Sequence, residues 1–87
     1  MSETRTKKQA IDLEHLEYLA DQLSAAGFHF NLWRTRSPHG HWECRLNPYR
    51  ADDYDHDWPF GADDNVKKAI KKAIDSIPQA LRPVIEI

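Results

Sequence analysis

The spacing of apolar residues changes at Gly27, and that change constrains the fold more than any other feature of the chain. Before it, Leu13, Leu16, Leu19, Ala20, Leu23 and Ala26 recur at steps of three and four. After it, Phe28, Phe30 and Leu32 alternate with His29, Asn31 and Trp33. The first pattern puts one apolar stripe on a helix and the second puts one apolar face on a strand, so a helix over residues 11–26 hands over to a β-strand at the glycine. Asp12 is placed to cap that helix, Glu14 and Glu17 lie near its positive end, and Ile11 can staple onto Leu16. A second alternating run puts Trp42, Cys44 and Leu46 on one side and His41, Glu43, Arg45 and Asn47 on the other. A hairpin through Pro38, His39 and a left-handed Gly40 then sets Leu32 opposite Leu46. It also sets Trp33 opposite Arg45, where ring and guanidinium can form a cation-π pair.

The last strong period belongs to Val66, Ile70, Ala73, Ile74 and Ile77, with Lys67, Lys68, Lys71 and Lys72 on the opposite side. These residues predict an amphipathic helix that starts near Asp63 or Asp64 and ends before Pro78. Residues 84–87, after Pro83, read as a short terminal strand able to add to a sheet edge. The expected fold is therefore α+β, in the order α-β-β-α with a short C-terminal strand and the helices packed on one face of an antiparallel sheet. Residues 1–10, which include Arg5, Lys7 and Lys8, form a basic arm, and residues 11–87 form a single domain. With 87 residues in all, a buried catalytic cavity would compete with a small core. The opening MSETRTKKQA lacks the apolar centre of a secretory signal, and no run approaches the length of a membrane span. The expected setting is cytoplasmic, with no membrane partner.

Residues 52–64, DDYDHDWPFGADD, combine six aspartates with Tyr54, His56, Trp58 and Phe60 immediately before the lysine run. Such a stretch cannot bury itself without pairing or protonating its carboxylates, so it is expected to face water as a contact surface. Asp52, Asp53, Asp55 and Asp57 would offer carboxylates at phosphate-like spacing to a basic protein groove, with Tyr54 and Trp58 as desolvated anchors. A calcium reading meets part of the pattern, with Asp53, Asp55, Asp57 and Asp64 at ligand positions. It fails at Trp58, where the sharp turn needs glycine. His29, His39, His41 and His56 lack zinc-ligand spacing, so no metal or cofactor is expected. Cys44 between Trp42 and Leu46 should be buried and inert, and no nucleophile or paired acid and base is in place, so the chain does not read as an enzyme.

The order of elements, with SPHGHWECRL in the hairpin and GADDNVKKAIKKAI entering the last helix, resembles the double-stranded-RNA-binding domain. That resemblance implies phosphate contacts from Pro38, His39, Lys67 and Lys68. The chain departs from the family pattern at Asp63 and Asp64, and at the acidic loop that stands where the family has a third strand. In size, charge and lack of catalytic spacing the chain also resembles accessory proteins of phages and mobile elements, including anti-CRISPR and other DNA-mimic inhibitors. Two functional expectations follow. The first is a monomeric or homodimeric inhibitor that docks on a basic, nucleic-acid-handling protein through Asp52, Asp53, Tyr54, Asp55, Asp57 and Trp58. The second is a nucleic-acid binder that uses Arg45, Lys67, Lys68, Lys71 and Lys72, helped by Arg5, Lys7, Lys8, Arg34 and Arg36.

Overall fold

A computed structural model of the protein describes residues 11–36 and 40–86. Helix α1 spans Leu13–Ala25 and leads through Gly27 into strand β1, Phe28–Arg34; strand β2 is Trp42–Pro48. A 3-10 turn at Ala51–Asp53 precedes strand β3, Phe60–Asp63, and helix α2 follows at Val66–Asp75. A second 3-10 turn at Gln79–Leu81 leads into the C-terminal segment. The sheet is antiparallel in the order β1-β2-β3. The α+β class is as expected, with a third strand added. The basic arm with Arg5, Lys7 and Lys8, and the hairpin residues Pro38 and His39, lie outside the described residues.

Local chemistry accounts for the element ends. Asp12 caps α1, its carboxylate accepting from the His15 backbone N–H at 2.8 Å, and Gly27, with a φ of 95°, turns the chain out of the helix. Asn65 caps α2 by accepting from the Lys68 backbone N–H at 3.1 Å. The cap thus falls one residue after Asp64, and Asp63 instead accepts from the Asn65 backbone N–H at 2.9 Å. Leu13 belongs to the predicted stripe, yet it lies in the first turn of α1 and is 69% exposed. The core lies between the two helices and one sheet face. Leu19 and Leu23 come from α1, Phe28, Cys44 and Leu46 from the sheet, and Val66, Ile70, Ala73, Ile74 and Ile77 from α2 and its exit.

The hairpin register departs from expectation by two residues. Leu32 lies opposite Cys44, Phe30 opposite Leu46 and Trp33 opposite Glu43. At the loop end of this register Thr35 ties to His41. The Thr35 N–H donates to the His41 carbonyl at 2.8 Å, and the Thr35 Oγ1 accepts from the His41 N–H at 3.1 Å. A slip of two returns every side chain to its original face, so the apolar pattern is equally satisfied by either register. Gly40 adopts the expected left-handed conformation, φ 48°. The expected Trp33–Arg45 pair does not form. The Arg45 guanidinium instead sits 5.6 Å from the Phe60 ring centroid, and Arg34 sits 5.8 Å from that of Trp42.

Strand β3 replaces part of the expected acidic loop. Gly61 makes it possible by letting the backbone of α2 lie directly on the strand. A Cβ at that position would stand 2.2 Å from the Ala69 carbonyl oxygen and 2.4 Å from the Ala73 nitrogen. The expected terminal strand is absent over residues 84–86, which follow Pro83 without strand pairing. Ile85 packs against the core instead.

Candidate functional site

The segment between β2 and β3 is fastened at its two ends and its middle. At its start, the Tyr49 N–H donates to the Gly27 carbonyl at 2.8 Å, the Tyr49 hydroxyl meets the Ser24 hydroxyl at 2.6 Å, and the Tyr49 ring stands edge-on to His29 with centroids 4.1 Å apart. In the middle, Tyr54 turns inward and packs edge-to-face on Phe28, 5.8 Å between centroids. At its end, Pro59 is buried and its carbonyl accepts from the Leu46 N–H at 2.9 Å, extending the strand pairing by one residue. Sequence reasoning left Tyr49 and Pro59 out of the site. The signal that could have marked them is proline and aromatic residues framing an otherwise polar run.

Between these fastenings Asp52, Asp53, Asp55, Asp57 and Trp58 all face outward. Among the described residues their one ion-pair partner is Arg50, 4.0 Å from the Asp53 carboxylate with both side chains largely in water, a pair that contributes little. Among the described residues no ion pair reaches Asp52, Asp55 or Asp57. Tyr54 was expected to be an outward anchor together with Trp58, and the structure separates the two: Tyr54 holds the loop to the core while Trp58 remains 44% exposed. The Tyr54 hydroxyl is buried without a hydrogen-bond partner. Desolvation, and then the negative charge of Asp57, push its pKa upward, so the phenol stays neutral. Beside the loop lies a largely apolar cleft of about 290 Å³ lined by Gly27, Phe28, Tyr49, Tyr54 and Leu81, with Asp53 at its border.

The lysine face of α2 is arranged differently. Lys72 reaches the Asp63 carboxylate at 2.9 Å and the Ala62 carbonyl at 3.1 Å, and Lys71 pairs with Asp75 at 3.3 Å. The Asn65 N–H, followed by Lys72, holds the Asp63 carboxyl below its ordinary pKa. Lys67 and Lys68, on the first turn, are left without ion pairs among the described residues. There they share the sign of the helix's positive end. Arg45 is separate from this group, lying on the sheet face turned away from both helices, over Phe60. The five candidate cations therefore do not form one patch.

Two further side chains that could carry chemistry, His41 and Cys44, are engaged or buried. His41 pairs with Glu43 at 2.9 Å. Cys44 is fully buried, and burial pushes its thiol up to about 12, so the thiolate is not accessible at neutral pH. No family model matches the chain, and no curated protein or solved structure matches it either. Among the described residues no helix is long and apolar enough to cross a membrane.

Proposed function

We propose that the protein is a small non-enzymatic binding protein that docks on a positively charged, nucleic-acid-handling protein through Asp52, Asp53, Asp55, Asp57 and Trp58, in the manner of the DNA-mimic inhibitors its sequence resembles. One observation carries this reading: four carboxylates point outward from a segment whose backbone is fastened at both ends and at Tyr54, and among the described residues Arg50 alone forms an ion pair with them. A fastened backbone lowers the ordering cost of association, and an array of like charges facing solvent favours a cationic partner and speeds its approach. The apolar cleft bordering Asp53 supports the same reading, since interfaces combine a charged rim with a pocket that takes one apolar or aromatic anchor.

The test compares the proteins retained from the native host by the wild type and by a variant carrying Asp52→Asn, Asp53→Asn, Asp55→Asn and Asp57→Asn together. The expected result is a basic nucleic-acid-handling protein retained by the wild type, lost with the variant, and released from the wild type by duplex DNA. An identical set of proteins on both would overturn the reading.

A second reading, nucleic-acid binding, is favoured by two features: among the described residues Lys67 and Lys68 form no ion pair, and β3 supplies the third strand that the double-stranded-RNA-binding pattern requires. Against it stand the engagement of Lys71 and Lys72 by carboxylates and the separation of Arg45 from α2. Titration with duplex RNA decides between the readings. Docking on a protein predicts no binding even at low salt. The nucleic-acid reading predicts binding that weakens with salt, with a log-log slope reduced by about two when Lys67 and Lys68 are changed to Gln.

A further inference from the structure

The two edges of the sheet are treated unequally. On β3 the outward carbonyls are occupied: Ser76 Oγ donates to the Phe60 carbonyl at 3.0 Å, and Lys72 Nζ donates to the Ala62 carbonyl at 3.1 Å. On β1, the bonds from Thr35 N–H to the His41 carbonyl and from Tyr49 N–H to the Gly27 carbonyl place the odd-numbered residues in contact with β2. By alternation, Phe28, Phe30, Leu32 and Arg34 turn their N–H and C=O groups to the edge. Among the described residues none of these groups has a partner. This edge is seven residues long and contains no proline, lysine or acidic residue of the kind that blunts strand edges.

We propose that β1 pairs antiparallel with β1 of a second copy of the chain, joining two three-stranded sheets into one of six strands about a two-fold axis at Asn31. The strand is self-complementary in this arrangement. The register that pairs all seven residues sets Phe28 opposite Arg34 of the second copy, Phe30 opposite Leu32, His29 opposite Trp33, and Asn31 opposite itself, so no like charges meet. It also complements charge between the ends. Phe28 carries the Tyr54 contact and hence lies at the acidic-loop end, so the end bearing Arg34 and Arg36 in one copy lies alongside the acidic end of the other. Asn31 falls in a non-hydrogen-bonded pair, where opposed side chains approach most closely.

Sedimentation of the full-length chain over a wide concentration range tests the pairing, and needs no docking partner, so its outcome is separate from that of the loop reading. The wild type is expected to dimerise. Asn31→Lys and Asn31→Asp, at a half-buried position on the sheet face turned away from the helices where the Asn31 amide donates to the Arg45 carbonyl at 3.3 Å, should each weaken the dimer by about tenfold or more by opposing like charges. An equimolar mixture of the two variants should restore it as a heterodimer. A wild type that stays monomeric throughout, a dimer indifferent to both substitutions, or a mixture that fails to reassociate would each overturn the proposal.

Discussion

Asp63 and the aspartates at 52, 53, 55 and 57 are the same chemical group a few residues apart, and the fold uses them in opposite ways. Asp63 lies in the seam between β3 and α2, where it accepts from the Asn65 N–H, pairs with Lys72 at 2.9 Å and is mostly shielded from water. The loop aspartates lie on the other side of Pro59 with their carboxylates in solvent and, among the described residues, one ion pair, from Arg50 to Asp53 at 4.0 Å. The difference arises from what each backbone is fastened to. Gly61 brings α2 close enough for Lys72 to reach the strand, whereas Tyr49, Tyr54 and Pro59 hold the loop by contacts that do not involve its carboxylates. Charge in the seam is engaged within the fold, and charge on the loop is left facing solvent.

The comparison breaks most visibly at Gly61. Gly61→Ala places a methyl group against the Ala69 and Ala73 backbone, which cannot move aside as a side chain would, so denaturant unfolding should show a loss of about 3 kcal/mol or more. Asn65→Ala removes the α2 cap and should cost about 1 kcal/mol in the same measurement.

The seam can also be sharpened by pH. The folded state holds the Asp63 carboxyl below its ordinary value, so its ionised form favours folding. That contribution is complete above a pH of about 4 and is lost as the pH falls through the lower folded value. Asp63→Asn should therefore lower the melting temperature near neutrality, with the gap from the wild type closing as the solution is acidified. A gap that stays constant with pH would mean the carboxylate is not what the seam uses.

The sequence reveals the helices and the sheet faces because both depend on local period. Leu19, Leu23, Ile70 and Ile74 are buried where their spacing puts them, and Phe28, Cys44 and Leu46 share the face predicted for each. Register is harder to see, since a two-residue slip preserves faces, and the bonds that accompany the observed pairing, Thr35 to His41 and Tyr49 to Gly27, lie at the strand ends, outside the apolar pattern. Strand β3 is hidden because FGAD has four residues, one of them glycine, inside an acidic run. Its pairing is fixed by distant partners, with Arg45 opposite Phe60 and Cys44 opposite Gly61. The terminal alternation of Val84, Ile85 and Glu86 looks like a strand in sequence, yet it gains its burial through Ile85 alone. At the site, the outward aspartates were legible from composition. The inward turn of Tyr54 was not, because its ring finds Phe28, a residue far away in the chain.

The most direct test is thermal unfolding of the variant with Asp52, Asp53, Asp55 and Asp57 all changed to Asn, compared with the wild type at neutral pH. If these carboxylates face outward without a structural task, stability should stay within about 0.5 kcal/mol of the wild type, the range of ordinary surface substitutions. A melting temperature lower by about 10 °C, more than 1 kcal/mol for a domain of this size, would show that the loop's charges hold the fold together and are not available for docking.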